Sequence, residues 1–480
     1  MRRTMSSACI GMGTSLLCLL GLLADIPAHA QMAPVPGTSQ TTLPAAPTPQ
    51  ASPPAVPSGP APAQLPQSGT RLRLTVQDAE ALALKQNPQV SVYRLLSLAS
   101  GQVVREQKSA YYPTLYGSLT GVAAEQGNRI AAGSLSNSTI YQRAAGGLTL
   151  SELITDFGRT NNLVAAAALQ AKAANLNAVA TADQIKLAVD EAFYNALQNF
   201  VLQKVAEQTV TARQLVSDEI ATLYQNKLRS EVDLSFANAN LAQAKLLLLD
   251  AQNNYQAALS ALSEVLGYAT PQAFELVEAD IKLEPPSGAV SPLVDQAYSN
   301  RPEIAAQDYA YRAAQRFQKA EHDLLLPSIQ ALGTAGHVPF SDAANGVMPF
   351  ASYYGAFGVN VNIPIFNGFL YSARAKEAAY RARASSEQLR DLKDRIANDV
   401  RTSWLNALTA YQRIGVTEQF VKQTKLALDL SEARYRLGLS SIVELSQAQL
   451  QETQAEIQSA AARYQYRISQ SVLRFQIAAP

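Results

Sequence analysis

Between Arg159 and Leu266 the chain contains neither glycine nor proline. This stretch constrains the fold more than any other feature. Most of it must be helical, and a helix of ~70 residues reaches ~105 Å at ~1.5 Å per residue, beyond an ordinary globular core. The apolar period slips near Lys227 to Ser230, so a break is expected there, with a long helix on each side. The stretch from Phe369 to Ala479 has the same character, with Gly415 and Gly438 its only interruptions.

After the first break, Leu234, Leu241, Leu248, Tyr255 and Leu262 recur every seven residues, with Ala237, Ala244, Ala251 and Ala258 between them. Ala448, Ala455, Ala462 and Ser469 hold matching places later on. A seven-residue repeat predicts a left-handed coiled coil, and its small residues predict close backbones. Taken alone, the heptads indicate a structural coiled coil.

The chain also reads as two copies of one unit. Asn87-Pro88 is matched by Arg301-Pro302, and Pro113 by Pro327, both 214 residues on. Further along the offset is 211: Asn195-Ala196-Leu197 recurs as Asn406-Ala407-Leu408, Tyr224 as Tyr435, Asp233 as Glu444 and Tyr255 as Tyr466. The expected domains are a first repeat over 71–285 and a second over 286–480. Each holds a helix (about 89–112 and 303–326), two strands and two long helices. The second proline of each copy ends its first helix, because it lacks an amide hydrogen and clashes with the preceding turn.

The strands change the reading of the coils. Tyr353, Gly355, Phe357, Val359, Val361 and Ile363 alternate with Tyr354, Ala356, Gly358, Asn360 and Asn362, giving one mostly apolar face and one small or polar face. Leu148 and Leu150, Leu115 and Leu119, and Ile329 to Gly336 suggest three more strands. Period-two alternation over about ten residues is the pattern of a transmembrane barrel strand. Four strands enclose no lumen, so several chains must contribute, and three copies would supply twelve.

The termini and composition agree with export. Arg2-Arg3, the apolar run Ile10 to Leu23 and Ala28-His29-Ala30 predict a signal peptide over 1–30. Leu17, before Cys18, is too large for a lipobox, which favours ordinary cleavage. Cys9 and Cys18 are the only cysteines, so cleavage leaves no disulfide or thiolate site. Residues 31–70, rich in Pro, Ala, Ser, Thr and Gln, are expected to be a disordered linker. With 39 basic and 38 acidic residues the chain is nearly neutral, which argues against a nucleic-acid partner. Past the signal no run of ~18 apolar residues offers a membrane-spanning helix, so a membrane crossing requires a closed barrel.

Several motifs, in this order, resemble the TolC family of outer-membrane efflux and secretion channels. Leu74 to Leu82, leading to Asn87-Pro88, resembles its opening helix. Asp156-Phe157-Gly158-Arg159 and Ile363-Pro364-Ile365-Phe366-Asn367-Gly368 resemble its two strand-to-helix turns, and Tyr435 to Ser441 resembles the hairpin at its closed periplasmic end. The resemblance spans roughly Leu74 to Phe475. It implies an α+β membrane protein: a long antiparallel coiled-coil α-helical barrel joined to a transmembrane β-barrel, four strands per chain and twelve per homotrimer. The partners implied are outer-membrane lipid, a periplasmic adaptor protein and an inner-membrane pump. Loops at about 124–142 and 337–352 would face outside the cell.

The resemblance also implies site residues. Glu444 matches an acidic ring at the pore constriction, and Gln447 stands where some relatives carry a second acid. Tyr435 and Asp233 match a closed-state link between neighbouring coils. Ser440 replaces an arginine found in some relatives. The adaptor-docking tip would comprise Lys227, Leu228 and Arg229 with Gly438, Leu439 and Ser440, and the first triplet departs from the glycine-containing turn of the second.

Two other readings are weaker. For an enzyme, only His322 and His337 remain after the signal; neither has metal-ligand spacing, and no phosphate loop or nucleophile elbow is present. No catalytic residue, cofactor site or metal site is therefore expected. A soluble periplasmic coiled-coil adaptor or scaffold would carry one hairpin flanked by β-domains, rather than two hairpins and lipid-facing strands.

Overall fold

The computed structural model describes residues 72–123, 129–132, 135–139, 143–278, 283–286, 288–341 and 353–479. The expected signal peptide and the linker over 31–70 lie outside these residues. In chain order the elements are β1 (Leu72–Leu74), α1 (Val76–Gln86), α2 (Pro88–Lys108), β2 (Thr114–Val122), β3 (Arg129–Ala132), β4 (Leu135–Thr139) and β5 (Arg143–Thr155). There follow α3 (Arg159–Gln225), α4 (Glu231–Val265), β6 (Phe274–Leu276), α5 (Ser291–Asn300) and α6 (Pro302–His322). The last are β7 (Ser328–Ser341), β8 (Tyr353–Asn362), α7 (Leu370–Arg436) and α8 (Ile442–Gln476).

The order helix, strand, strand, long helix, shorter helix occurs twice, and its helices match in length. α2 and α6 each have 21 residues, α3 and α7 each 67, α4 and α8 each 35. At ~1.5 Å per residue α3 and α7 each extend ~100 Å. α7 runs through Gly415 without a break.

Local chemistry sets the helix boundaries. Thr75 and Asp78 form a capping box at α1. Asn87 then caps α2 by accepting from the Gln89 amide at 2.8 Å, with Pro88 in the first turn, where its missing amide does no harm. Its Nδ2 also donates to Val265 O at 2.8 Å, tying the α1–α2 corner to the end of α4. At the strand-to-helix turn before α3, Asp156 Oδ2 accepts from the amide and hydroxyl of Thr160 at 2.7 and 2.6 Å. Phe157 and Gly158 pass through positive φ there, and Gly368 and Phe369 do so at the turn before α7.

Each long helix turns back on its shorter partner at a tip of about five residues. In the second tip Leu439 N donates to Arg434 O at 2.8 Å, with Gly438 at φ 71°. In the first, Leu228 N donates to Leu223 O at 2.9 Å, with Lys227 at φ 60°. Both are left-handed helix stops. Lys227 therefore adopts the glycine conformation despite its Cβ, and the triplet that departs in sequence does not depart in geometry.

Ala237, Ala244, Ala251 and Ala258 on α4, and Ala448, Ala455 and Ala462 on α8, are all buried. Of the intervening row Leu241 and Leu262 are also buried, while Leu234 and Tyr255 are only partly so. One core gathers Leu74, Val189, Phe193, Leu262, Leu266 and Phe274. A second gathers Val294, Ile304, Ile396, Val400 and Leu473. A third, at the tips, holds Ile220, Ala237, Tyr435, Ile442 and Leu445.

β2, β5, β7 and β8 form one antiparallel sheet in that order, leaving β2 and β8 as its edges. β3 and β4 make a separate hairpin within the first expected loop, and β1 pairs in parallel with β6. β7 continues to Ser341, so the second loop begins later than 337. Residues 342–352 lie outside the described residues.

Candidate functional site

Cross-strand register sorts the sheet into two faces. One carries the rows Leu119–Gly146–His337–Tyr353 and Leu115–Leu150–Gly333–Phe357. The other carries Tyr116–Thr149–Thr334–Ala356 and Ser118–Gly147–Gly336–Tyr354. The first is apolar yet uncovered in the protomer: Leu119 is 93% and Phe357 78% exposed. Among the described residues nothing in the chain packs on it. Water is a poor neighbour for so many contiguous apolar side chains, whereas lipid suits them.

His337 stacks on Tyr353 with ring centroids 4.4 Å apart, on the apolar face. His322 Nδ1 lies 3.9 Å from Asp323 Oδ1, and that carboxylate also accepts from Asn162 Nδ2 at 2.8 Å. No group of three metal-ligating side chains occurs among the described residues.

At the opposite end, the structure brings the two tips of one chain together. Arg229 Nη2 donates to Tyr435 O at 2.7 Å, and the guanidinium stands 4.1 Å from the Tyr435 ring centroid. Tyr435 is 6% exposed, and its hydroxyl has no hydrogen-bond partner within the protomer. Burial pushes this phenol above its ordinary range; Arg229 opposes the shift, and Asp233 and Glu219 add to it. Asp233 instead completes a capping box: its Oδ2 accepts from Ser230 N at 3.1 Å and from Ser230 Oγ at 2.9 Å. Within one chain Arg229 is the group that touches Tyr435.

Glu444 sits in the first turn of α8, where Ser441 Oγ caps its amide at 3.4 Å. Its carboxylate lies 3.5 Å from Arg434 Nε, both side chains about half exposed. Gln447 is exposed one turn on. Ser440 Oγ is buried without a partner. Lys227, Leu228, Gly438 and Leu439 are exposed, so each tip presents a bare leucine.

Two charged groups in the coils escaped the sequence reading. Arg213 on α3 is buried and donates through Nη2 to Gln449 O at 2.8 Å and Thr453 Oγ1 at 3.1 Å on α8. Opposite it, burial and then Glu456 push the Glu452 carboxyl up to about 7. The signal was available: Arg213 lies in the buried helical series Ala206, Thr209, Ser217 and Ile220. Near the middle of α3, burial and then Asp190 push the Glu80 carboxyl up to about 7, and Asp190 is itself buried with Oδ1 unpartnered. These acids border a cavity of about 480 Å³ that Lys186, Arg301 and Arg474 also line.

The family described as outer membrane efflux protein matches residues 293–478. The outer membrane protein TolC of Salmonella enteritidis is 25% identical over 394 residues, covering 78% of this chain and 76% of the relative. That of Escherichia coli is 26% identical over 389 residues, with the same coverage. Among solved structures, the outer membrane protein VceC of Vibrio cholerae superposes with a TM-score of 0.71 at 18% identity, over 84% of this chain and 95% of its own. The matches lie with outer-membrane channels rather than with soluble periplasmic adaptors.

Proposed function

This chain belongs to the TolC-type outer-membrane efflux proteins, and we propose that three copies form one continuous duct across the outer membrane and the periplasm. The protein is an outer-membrane channel of a family that transports rather than catalyses. The observation that carries the finer reading is the four-stranded sheet. It has two bare edges, an apolar face without cover and a small or polar face, and it continues directly into coiled hairpins. Open edges do not survive in lipid, so the sheet must close with copies of itself.

The contacts within one chain indicate how. α2 packs on α3, α3 on α6, and α6 on α7; in the sheet β2 pairs with β5, β5 with β7, and β7 with β8. If the two halves are equivalent, the next contacts are α7 with α2, and β8 with β2, of a second copy. β8 and a neighbouring β2 then run antiparallel, as all other pairs do. α2 supports this: none of its side chains is buried, and Val92, Leu95, Leu96 and Leu98 are exposed. The apolar face meets lipid, and the polar face lines the lumen.

Within that assembly Glu444 recurs around the axis as an acidic ring at the narrow end, followed by Gln447. Leu228 and Leu439 offer apolar contact points for a periplasmic adaptor, which links the duct to an inner-membrane pump. Purified protein reconstituted in planar bilayers should give uniform, long-lived conductance steps, and cell fractionation should recover it with outer membranes. A protein found in the soluble periplasmic fraction that gives no conductance would defeat the proposal.

A further inference from the structure

Tyr354 lies on the polar face of β8, at the end of the row Ser118–Gly147–Gly336–Tyr354. Its ring does not stand off the sheet. A Cβ added to Gly336 would collide with its Oη and Cζ and would lie 2.7 Å from Gly146 O; one added to Gly147, a strand further away, would lie 2.5 Å from its Oη. The side chain therefore lies along the row across two neighbouring strands, with its hydroxyl over Gly147. Neither glycine has a positive φ, so backbone conformation demands glycine at neither place. What the pair provides is a recess.

The adjacent row supplies an internal comparison. Tyr116 also lies on the polar face, but its cross-strand neighbours are Thr149 and then Thr334, which carry branched side chains. Tyr116 is 65% exposed and Tyr354 43%. On one wall, a tyrosine beside threonines stands free, and a tyrosine beside glycines lies down.

We infer that Tyr354 is a stowed pore-lining group: Gly147 and Gly336 hold its ring against the barrel wall and keep the lumen open at the loop end of the strands. This rests on the channel reading, and on the polar face lining the lumen. A trimer carries three such rings at one height. Lifting them from the recess places aromatic bulk in the path of ions and cargo, so these glycines set the bore at that level.

The test is single-channel conductance in planar bilayers, with trimer insertion checked for each variant. Gly336→Ala should lift the ring and lower conductance by roughly a quarter, because pore radius limits ion flow. Tyr354→Ala alone should leave conductance near wild type, since the recessed ring occupies little lumen. The double variant Gly336→Ala with Tyr354→Ala should recover most of the loss, the contact with Gly146 O alone remaining. If Gly336→Ala does not insert, Gly147→Ala replaces it: of the Tyr354 atoms only the hydroxyl is among that Cβ's nearest neighbours, with Ala335 O next at 3.2 Å, so a smaller loss should be recovered by Tyr354→Phe. Unchanged conductance in an inserted glycine variant, or no recovery in the double variant, overturns the inference. Absence of conductance in the wild type would instead overturn the channel reading on which it rests.

Discussion

Arg229, in the tip between α3 and α4, holds Tyr435, at the end of α7, by two contacts at once: a 2.7 Å hydrogen bond to its carbonyl oxygen and a guanidinium 4.1 Å from its ring centroid. A charged hydrogen bond and a cation over an aromatic face together contribute about 1–3 kcal/mol. Arg229→Ala should therefore loosen the two hairpin tips from each other and raise conductance in planar bilayers. Tyr435→Phe should have little effect, because its hydroxyl has no partner in the protomer. Tyr435→Ala should resemble Arg229→Ala. Conductance raised by Tyr435→Phe alone would instead favour a hydroxyl link to a neighbouring chain.

The other tip residue with a distinctive conformation is Lys227, at φ 60°. A side chain held in the left-handed region costs about 1 kcal/mol relative to glycine. Lys227→Gly should remove that strain and slow amide hydrogen exchange at Leu228, whose amide closes the turn. Faster exchange there would mean that the lysine side chain stabilises the turn by other contacts.

Glu80 and Asp190 make the docking of α1 on α3 sensitive to pH. The Glu80 carboxyl is raised to about 7 by burial and by Asp190, with Lys186 and Arg474 opposing. A raised carboxyl pKa means that the folded state holds more protons than the unfolded one between about 4.5 and 7, so stability falls as pH rises through that window. Arg301 and Glu303 pair at 2.8 Å beside the same cavity. Amides of α1, corrected for intrinsic rates, should exchange faster at pH 8 than at pH 5. Glu80→Gln supplies a permanent donor to Asp190 and should flatten that difference; an unaltered pH dependence would exclude the pair as its source.

Glu444→Gln tests the proposed ring. Like charges converging on an axis attract cations and favour those of higher valence. The variant should shift selectivity away from cations and weaken block by trivalent ions. Folding should be little affected, because the side chain is half exposed and Ser441 still caps the helix. Unchanged selectivity and block would move the constriction elsewhere.

Much of the architecture was legible because single residues enforce it. The absence of glycine and proline from Arg159 to Leu266 predicts helix, the period slip at Lys227 to Ser230 falls on the observed tip, and Pro113 and Pro327 fall just before β2 and β7. β8 was legible in full because Tyr353, Phe357, Val359 and Val361 keep the alternation, with Gly355 the one gap in the row. β5 runs over 13 residues but showed only Leu148 and Leu150, since glycines and Glu152 interrupt its pattern. The tip chemistry was less legible for a physical reason. Within one chain Asp233 is engaged locally, in a capping box with Ser230 three residues away. Arg229 reaches Tyr435 only because the two tips fold side by side, which residue spacing does not reveal.

The central claim, closure of three copies through α7 and α2, can be measured with introduced cysteines, since Cys9 and Cys18 are the only native ones. Inside one chain Lys172 of α3 lies with its Nζ 5.5 Å from the Tyr309 ring centroid on α6. Equivalence of the halves maps Lys172 to Arg383 on α7, and Tyr309 to Leu95 on α2. Leu95→Cys with Arg383→Cys, treated in membranes with a short bismaleimide, should give covalent trimers on a denaturing gel. No larger species should appear, and each single variant should remain monomeric. Crosslinking that stays within one chain, stops at dimers or builds an open ladder beyond trimers would contradict the account.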